Sequence, residues 1–460
     1  MSPSRSSFPR LTVAGLGGDS GKTLLSLGLL LLARKHGLPV RGYKKGPDYI
    51  DAAWLRWAAE HPARNLDTYL MGFDKPVTSF VRHAAADGLN VIEGNRGLFD
   101  GSDPRGTHST AELAKALDAP VILILNATKV TRTAAAFVLG CQYLDRKLRI
   151  AGVVLNRVAT ARQEAVLREA IESASGVPIV GVIPRGRGGR LLPGRHLGLV
   201  TPEEHPQIEE VRENVLELVD GHLDWEQLMT LAQGARALPK SGVAEPPAAD
   251  GSGLRIGYLS DSAFTFYYPE NLEALEDAGA QLVPISALSA SEVPAAIDAL
   301  YIGGGFPETH GAALAGNRTF LASLRGRAEA GLPVYAECGG LMLLSRAIHW
   351  NGERREMSGV MPFEVEVRRR PQGHGYADIT VDRPNPFYPE GAKLRGHEFH
   401  YSRVLPSGGL PPTACAVTRG TGCYDKRDGA VVNNVWASYT HIHALATPEW
   451  APALLTAARN

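Results

Sequence analysis

The sequence predicts an α/β protein made of two domains in tandem. Hydrophobic runs rich in Val, Ile and Leu alternate with helical patterns through the first half of the chain. After a stretch rich in Pro, Ala, Gly and Ser, the alternation restarts. Uninterrupted apolar runs are typical of strands buried on both faces, and so of a parallel sheet covered by helices. At 460 residues the chain is long enough for two or three such domains.

Five apolar runs in the first half are predicted strands. They are LTVAGL at 11–16, NVIEG at 90–94, PVILILNA at 120–127, IAGVVLNRV at 150–158 and VPIVGVI at 177–183. The segment 234–253, GARALPKSGVAEPPAADGSG, has no periodic apolar face and predicts a solvated linker. We therefore expect one domain at 1–233 and another at 254–460.

The second domain is predicted to be α/β as well. Its predicted strand regions are LRIGYLSD at 254–261, LYIGGG at 300–305 and PVYAECGG at 333–340, with helices between them. From about Met357 to Val417 the pattern indicates short strands and turns.

Composition excludes several classes of partner. Lys plus Arg and Asp plus Glu both number 48, so no net charge draws the protein to nucleic acid or an anionic membrane. The longest apolar stretch, Leu24 to Ala33, is shorter than the ~20 residues of a membrane-spanning helix. The segment Met1 to Arg10 lacks the apolar part of a secretory signal. With few cysteines, and none in zinc or disulfide spacing, we expect a cytoplasmic protein.

A candidate phosphate-binding loop, GLGGDSGKT at 15–23, stands between the first predicted strand and a helical pattern. Its glycines allow backbone N–H groups to point at phosphate oxygens, and the helix N-terminus adds positive charge. The usual glycine five residues before Gly21 is replaced by Leu16, so the loop is one residue longer than the standard pattern. The alternative is a Gly-rich turn that binds nothing. The predicted ATP-binding residues are Gly18, Ser20, Gly21, Lys22 and Thr23.

Acidic residues follow the next strands, in KKGPDYID at 44–51 and IEGNRGLFDG at 92–101. The carboxyl ends of parallel strands converge on one crevice, so these acids are expected beside the phosphate-binding loop. Taken singly, each acid is more often a helix cap or a loop charge. The predicted Mg²⁺ ligands are Thr23, Asp48 and Glu93, and the predicted substrate-binding residues are Asp48, Tyr49, Asp51 and Asp100.

The second domain offers a candidate nucleophile, Cys338, in AECGGLMLL. A strand that turns sharply into a helix exposes such a residue, and the helix dipole is expected to lower the pKa of its thiol. GGGFPE at 303–308 supplies a second backbone segment, so Gly304, Gly305 and Gly339 are candidate oxyanion donors. His441 and His443, both in SYTHIH, are the candidate bases. A buried, inert cysteine and chance histidines are the alternatives.

These segments together resemble the cobyrinate a,c-diamide synthase family. The resemblance runs from about Leu11 to the C-terminus. Its nine matching segments are SGKT, KKGPDYID, NLDTYLM at 65–71, IEGNRGLFDG, RHLGLVTPEE at 195–204, GGGFPE, AECGG, RGHEFHYS at 395–402 and SYTHIH. The resemblance implies a synthetase domain similar to dethiobiotin synthetase, followed by a class I glutamine amidotransferase domain.

The resemblance also implies a reaction. Cys338 would attack the carboxamide of L-glutamine with His441 as its base, and ammonia would travel inside the protein to the first domain. There ATP, with Mg²⁺, would phosphorylate a carboxylate of a tetrapyrrole acid, and ammonia would displace the phosphate. The products would be amides at the a- and c-acetate groups of cobyrinate or hydrogenobyrinate. A homodimer is the candidate assembly.

The sequence departs from the family pattern at two places. Class I glutaminases usually carry Glu two residues after the catalytic His, where this chain has His443, so the third member of the triad stays open. The family usually follows GPDYID with Pro and soon a His, where this chain has Ala52, Ala53 and Trp54. The second departure lies beside the acidic loop and bears on the choice of tetrapyrrole.

Three alternatives stay open at this point. PQGHGY at 371–376, followed by RGHEFHYS, is reminiscent of relatives that amidate sirohaem, so a sirohaem-type substrate stands second to the cobyrinate type. A P-loop ATPase of the partitioning type, with a regulatory second domain, is a different class of enzyme. A tetrapyrrole carrier without chemistry would use His374, His397 and His400 as metal contacts.

Overall fold

A computed structural model describes residues 5–186, 194–195, 198–239 and 250–460. The chain divides into two compact units, 1–243 and 244–460. The predicted linker, 234–253, contains this division, and residues 240–249 of it lie outside the described part. Among the helices described, none combines the length and the apolarity that crossing a membrane requires.

The first unit is built on a sheet of seven parallel strands in the order β4-β3-β5-β2-β6-β7-β8. The seven strands of this sheet are β2 (Arg10–Gly15), β3 (Val40–Lys45), β4 (Arg64–Leu66), β5 (Leu89–Glu93), β6 (Val121–Asn126), β7 (Ile150–Val158) and β8 (Ile179–Pro184). Four short strands lie outside it: β1 (Arg5–Ser6) pairs antiparallel with β11 (Leu238–Pro239), and β9 (Gly194–Arg195) pairs antiparallel with β10 (Gly198–Leu199). Its helices, with a 3₁₀ turn at Pro202–Glu204, are α1 (Lys22–Lys35), α2 (Tyr49–Ala59), α3 (Thr68–Met71), α4 (Asp74–His83), α5 (Thr110–Ala116), α6 (Thr133–Leu144), α7 (Ala161–Ser175), α8 (Ile208–Val219) and α9 (Trp225–Gln233).

The arrangement of this sheet follows from its sequence. Strands β2 and β5 are buried at every position, as uninterrupted apolar runs require. The five predicted strands are found as β2, β5, β6, β7 and β8, each with ends within two residues of the prediction. Since all strands run parallel, their carboxyl ends meet at one edge, where the loops after β2, β3 and β5 carry the candidate residues.

The second unit contains a ten-stranded sheet, β13-β12-β14-β15-β24-β23-β22-β19-β20-β25, and a four-stranded sheet, β17-β16-β18-β21. The strands are β12 (Arg255–Leu259), β13 (Gln281–Ile285), β14 (Ala299–Ile302), β15 (Val334–Glu337), β16 (Ala347–Trp350), β17 (Glu353–Glu356), β18 (Glu364–Val367), β19 (Gly373–Val381), β20 (Lys393–His400), β21 (Ser402–Leu405), β22 (Thr413–Arg419), β23 (Arg427–Val432), β24 (Val435–Ser438) and β25 (His441–Ile442). The helices are α10 (Pro269–Asp277), α11 (Gly311–Gly316), α12 (Arg318–Glu329), α13 (Gly339–Leu344) and α14 (Trp450–Arg459).

The parallel part of the larger sheet positions the candidate cysteine. Strands β13, β12, β14, β15 and β24 pair in parallel, and from β23 onward the pairing is antiparallel. The three predicted strand regions are found as β12, β14 and β15, and short strands occupy the stretch after Met357. Two α/β units, the first with a parallel sheet, confirm the predicted fold class.

Candidate functional site

The candidate phosphate-binding loop joins β2 to α1. Asp19 (φ 53°) and Gly21 (φ 101°) have left-handed backbone conformations, which turn the chain sharply before the helix. A Cβ at Gly21 would stand 2.4 Å from Nδ2 of Asn156, which itself donates to the carbonyl oxygen of Ser20 at 2.9 Å. Conformation and close approach therefore both require glycine at position 21.

Lys22 lies folded into this loop. Its ammonium donates to the carbonyl oxygen of Gly17 at 2.8 Å and to Oγ of Ser20 at 3.5 Å. Burial lowers the pKa of Lys22, and the nearby Lys44 ammonium lowers it further. At Gly17 and Gly18 a Cβ would meet no atom within 4 Å, so the backbone of the loop has space in front of it. An anion could approach these N–H groups and the N-terminus of α1.

A cavity of about 230 Å³ opens beside the loop. Its lining residues are Leu16, Gly17, Gly18 and Ser20 of the loop, Ile124, Leu125 and Asn126 at the end of β6, and Phe137 of α6. Leu16 and Phe137 are exposed large apolar side chains in this lining. An apolar wall next to a phosphate-binding backbone suits a nucleotide, which is flat and apolar at one end and anionic at the other.

A buried lysine organises the acids behind the loop. The ammonium of Lys44 lies 2.5 Å from Oδ2 of Asp51 and 2.9 Å from Oε1 of Glu93, and it donates to the carbonyl oxygen of Gly94 at 3.2 Å. The hydroxyl of Thr23 donates to the same Glu93 oxygen at 2.8 Å. The cluster therefore connects the phosphate-binding loop to the ends of β3 and β5.

The charges of this cluster do not balance. Two ammonium groups, those of Lys44 and Lys22, interact with the three carboxylates of Asp48, Asp51 and Glu93. Burial alone would lower the pKa of Lys44, but the carboxylates raise it above its usual range. Burial, with repulsion from Asp51, raises the pKa of Glu93 to about 7 and that of Asp48 to about 6. The cluster can accept further positive charge.

The residues present fit a magnesium ion bound together with a nucleotide. Oε2 of Glu93 is buried and has no hydrogen-bond partner in the described part of the chain. The hydroxyl of Thr23 donates to Oε1, the other oxygen of the same carboxylate. Across the described residues, no group of three or more His, Cys, Asp or Glu side chains could hold a metal unaided. A magnesium–nucleotide complex needs only one or two protein carboxylates, because phosphates and water complete its coordination.

The other predicted substrate-binding residues stand nearby in different local roles. Asp48 caps α2, with Oδ1 accepting the N–H of Asp51 at 2.9 Å, and Tyr49 is the first residue of that helix. Asp100 is exposed, and its Oδ2 accepts the N–H of Gly97 at 2.8 Å. Asp100 thus closes its own loop, which follows β5.

Replacing Lys44 by Met is expected to lower the free energy of unfolding of the first unit by about 3 kcal/mol, because an uncompensated carboxylate stays buried.

The loss of stability caused by Lys44→Met should grow with pH. Glu93, whose pKa is raised from 4.5 to about 7, favours the folded state below its ordinary pKa and loses that contribution as pH rises through the higher value. Urea denaturation between these pH values measures both effects. Lys115→Met, which removes the partly exposed ion pairs with Glu112 and Asp145, is the control and should cost less than about 1 kcal/mol at every pH. An equal cost for both variants would contradict this account of the cluster.

In the second unit, Cys338 occupies the turn between β15 and α13. Its backbone, at φ 48° and ψ −96°, lies outside the regions that non-glycine residues prefer, which costs on the order of 1–3 kcal/mol. Its N–H donates to the carbonyl oxygen of Ser438 at 2.7 Å, so the end of β24 holds this conformation. A strained strand-to-helix turn of this kind presents a nucleophile at the edge of a sheet.

The three predicted glycines and His441 meet at this turn. A Cβ on Gly339 would stand 2.9 Å from the nitrogen of Gly305, and a Cβ on Gly304 would stand 2.6 Å from Cε1 and 3.3 Å from Nε2 of His441. The loop after β14 therefore passes between α13 and the imidazole, with no room for side chains. This brings Cys338, His441 and all three candidate oxyanion donors into one group.

The second ring nitrogen of His441, Nδ1, lies close to a carboxylate that was not among the predicted site residues. Oε2 of Glu337 lies 3.2 Å from Nδ1 of His441, and both side chains are almost fully buried. Glu337 immediately precedes Cys338, and this position next to the predicted turn is the signal that could have indicated it. Lys44 was overlooked in the same way, inside a motif chosen for its acids.

The expectation of a lowered thiol pKa at Cys338 is wrong. Burial raises the pKa of Cys338 above its usual range, and the carboxylates of Glu308, Glu337 and Glu398 raise it further. The helix that follows has only six residues. Burial and nearby negative charge outweigh the effect of its N-terminus. The resting thiol is therefore protonated, and a base must remove its proton during a reaction.

Two further histidines, His397 and His400, are buried in the second unit. His397 stacks on His441 with ring centroids 5.0 Å apart, and Oη of Tyr268 lies 3.1 Å from Nδ1 of His397. Burial lowers the pKa of His397 well below its usual value, and the nearby histidines His441 and His443 lower it further. His400 stacks on Tyr439, with the two ring centroids 3.6 Å apart.

The histidine set considered for a carrier is dispersed. His374 is exposed and packs against Phe399, while His397 and His400 are buried in separate ring stacks. In the part of the chain that the structure describes, these three do not form a group that could hold a metal.

Comparison with known families assigns each half of the chain. Residues 11–199 match the CobQ/CobB/MinD/ParA nucleotide binding domain, and residues 255–449 match the CobB/CobQ-like glutamine amidotransferase domain. A nucleotide-binding domain of this kind implies ATP binding. The first match contains the phosphate-binding loop and the Lys44 cluster, and the second contains Cys338 and His441.

Full-length relatives share both halves. A protein of Magnetococcus marinus named cobyrinate a,c-diamide synthase is 44% identical over 97% of this chain and 96% of its own. Proteins of the same name from Syntrophotalea carbinolica and Archaeoglobus fulgidus are 39% and 36% identical, over 99% and 95% of this chain and the same shares of their own. These matches confirm the resemblance found in the sequence. The chain belongs to the cobyrinate a,c-diamide synthase family of glutamine-dependent carbon–nitrogen ligases.

Proposed function

We propose that this chain uses ATP and glutamine to convert the a- and c-acetate carboxylates of cobyrinate, or of hydrogenobyrinate, into primary amides. The observation that carries the proposal is the pairing, in one chain, of a phosphate-binding loop at Lys22 and Thr23 with a cysteine–histidine site at Cys338 and His441. The shared name of relatives that match nearly the whole chain supports the choice of substrate.

The cysteine site releases ammonia. The sulfur of Cys338 attacks the carboxamide carbon of glutamine as His441 takes the thiol proton, and N–H groups of Gly305 and Gly339 stabilise the oxyanion. His441 then protonates the leaving nitrogen, so that ammonia departs and a thioester forms. Water hydrolyses the thioester to glutamate and restores the thiol. The close approach of Gly304, Gly305 and Gly339 supports this assignment.

The nucleotide site activates the carboxylate. A substrate oxygen attacks the terminal phosphorus of ATP, which yields ADP and an acyl phosphate. Ammonia then attacks the acyl carbon, inorganic phosphate leaves, and an amide remains. Lys22 and the backbone from Gly18 to Gly21 neutralise and position the phosphates. Ser20, which bonds Lys22, keeps the ammonium in the loop.

Mg²⁺ would be held by Thr23 and Glu93, with Asp48 as the third predicted ligand. Bound there, it would neutralise charge on the phosphates. Lys44 keeps these carboxylates close together before the ion arrives, because its ammonium contacts Glu93 and interacts with Asp48.

The substrate-binding role of Asp48, Tyr49, Asp51 and Asp100 stays a proposal supported by their position around the phosphate-binding loop. In the sequence, the departure from the family pattern at Ala52, Ala53 and Trp54 bears on the choice of tetrapyrrole. The structure weakens that argument, because the largest of these side chains is packed inside the unit. Trp54 is fully buried, and its indole nitrogen donates to the carbonyl oxygen of Val200 at 2.9 Å.

Two further candidate functions make distinct predictions. A sirohaem-type substrate would use the same chemistry, and the PQGHGY segment is what favours it. A partitioning-type ATPase would hydrolyse ATP without glutamine and would be indifferent to alkylation of Cys338. The group of glycines around His441 argues for the amidation reaction over the ATPase.

Mass spectrometry of the tetrapyrrole tests the proposal. Pure protein is incubated with Mg-ATP, glutamine and, in parallel, cobyrinic acid, hydrogenobyrinic acid, sirohydrochlorin and sirohaem. Each change from acid to amide lowers the mass by a fixed step, and two steps on a corrinoid-type acid are expected. A shift on a sirohaem-type acid alone would replace the substrate and keep the mechanism. ATP hydrolysis without any shift would favour the ATPase.

The assembly of the chain as a homodimer also stays a prediction. Light scattering of the pure protein after size-exclusion chromatography measures its molar mass directly, with the 49.3 kDa chain as the reference.

A further inference from the structure

The position where class I glutaminases carry an acid is occupied differently in this chain. His443 lies two residues after His441 and is fully buried. Its Nδ1 accepts the N–H of Leu445 at 3.1 Å, and its Nε2 lies 3.6 Å from Oε2 of Glu270. His443 is thus engaged with its own loop and α10. The carboxylate that orients the catalytic imidazole must come from elsewhere in the chain.

Glu337 supplies a carboxylate at the required nitrogen. Its Oε2 lies 3.2 Å from Nδ1 of His441, and its Oε1 accepts the N–H of Ile442 at 3.1 Å. The hydroxyl of Tyr301 donates to Oε2 at 3.2 Å, and Nδ2 of Asn271 donates to that hydroxyl oxygen at 3.2 Å. Glu337 has no exposed surface. A buried carboxylate held by this many donors stays fixed in one orientation.

The topology of the sheet explains why the residue next to the nucleophile can do this. Strands β15 and β24 run parallel with Glu337 opposite Ser438, so His441 follows just beyond the end of the pair. Neighbouring strand residues point to opposite faces, which would separate Glu337 from Cys338. The turn at Cys338, with its φ of 48°, breaks that alternation. Carboxylate and thiol can therefore serve the same imidazole.

Resting on the function proposed above, we propose that Glu337 is the positioning residue that completes the glutaminase triad in place of the missing acid after His441. A carboxylate on Nδ1 keeps the proton on that nitrogen, so Nε2, the atom beside Gly304, is unprotonated and can accept the thiol proton. The same carboxylate stabilises the imidazolium formed by that transfer.

Glu337 also couples the two charges of the reaction. By itself it disfavours a thiolate at Cys338, since two negative charges would lie close together in a buried site. A thiolate that forms together with a protonated His441 is compensated. The thiol proton therefore moves to the imidazole and is not lost to solvent.

Glu337→Gln tests the proposal in the full-length enzyme. Glutamine hydrolysis should fall by roughly 10²–10⁴-fold in kcat with KM little changed, because the imidazole loses its orienting charge and not its substrate contacts. Amidation with ammonium chloride should stay within about threefold of wild type, which reports an intact fold. The rising limb of the pH profile for glutamine hydrolysis should move to lower pH, because the variant lacks one of the carboxylates that raise the pKa of the Cys338 thiol.

Two controls separate positioning from mere structure. Glu270→Gln alters a different buried histidine–carboxylate pair, that of His443 with Glu270, and should leave both rates near wild type. In a His441→Ala background, Glu337→Gln should cause no further loss of glutamine hydrolysis, because it acts through that imidazole. An additive loss would overturn the proposal. If Glu337→Gln does not fold, Glu337→Asp provides the test. This variant keeps the negative charge, so the rising limb of its pH profile should stay at the wild-type pH while kcat is reduced. A displaced limb would count against the proposal.

The glutaminase function of Cys338 and the role of Glu337 can be tested separately. Cys338→Ala run in parallel should abolish glutamine hydrolysis, and if it does not, the glutaminase assignment falls with or without Glu337. Full activity of Glu337→Gln beside an inactive Cys338→Ala would overturn the role of Glu337 alone.

Discussion

Replacement of Cys338 by Ala is expected to abolish glutamine-dependent amidation while leaving ammonium-dependent amidation intact. Loss of a nucleophile removes covalent catalysis altogether, so glutamine hydrolysis should drop by at least about three orders of magnitude. Free ammonia bypasses this step, because the synthetase chemistry needs only the nitrogen. The measurement is the amide product by mass spectrometry, with glutamine and with ammonium chloride at the same ATP concentration.

Cys415→Ala is the matched control for Cys338→Ala. Cys415 is a fully buried cysteine of β22 in the same unit, so its replacement also removes a core thiol. It should leave both nitrogen sources usable. Equal loss of activity with glutamine and ammonium in Cys338→Ala would contradict two separate active sites, provided that the variant retains the wild-type circular dichroism spectrum.

Replacement of Lys22 by Ala is expected to have the opposite pattern. Amidation should fall by at least about 10²-fold with either nitrogen source, because a charge that stabilises the transferring phosphoryl group is lost. Hydrolysis of glutamine to glutamate should persist, since Lys22 lies in the other unit. Parallel assays of glutamate, ADP and amide distinguish the two effects.

Lys35→Ala, in the last turn of the same helix, is the control for Lys22→Ala. Lys35 forms an exposed ion pair with Asp220, so its loss removes one lysine of α1 without reaching the phosphate-binding loop. Amidation should remain near wild type. An equal defect in both variants, or a Lys22→Ala enzyme with normal amidation, would contradict the nucleotide site.

The strands that position both sites could be predicted because their sequence signal is local. Continuous apolar runs fixed the course of β2, β5, β6, β7 and β8, and a glycine-rich turn after β2 indicated the phosphate-binding loop. Strand β3 gave a weaker signal because it ends in Lys44 and Lys45. Both lysines are buried, and a run that ends in two lysines does not look like a buried strand.

The candidate site residues also differ in whether their sequence signal is local. Cys338 and the glycines could be predicted, since a turn and its small residues lie close together in sequence. The partnership of Glu337 with His441 could not, because 104 residues separate them and only the pairing of β15 with β24 brings them together. The direction of the pKa shift of Cys338 was mistaken for a related reason: burial and distant carboxylates are properties of the folded chain.

The strained, buried turn at Cys338 also bears on the durability of the enzyme between turnovers. Peroxide and electrophiles react with thiolates, and a thiol kept protonated offers them little. If the thiol proton leaves only toward the imidazole of His441, as proposed above, the sulfur becomes nucleophilic when glutamine is bound and stays protonated at other times. The enzyme without bound glutamine would then keep its sulfur in the form that these oxidants attack slowly.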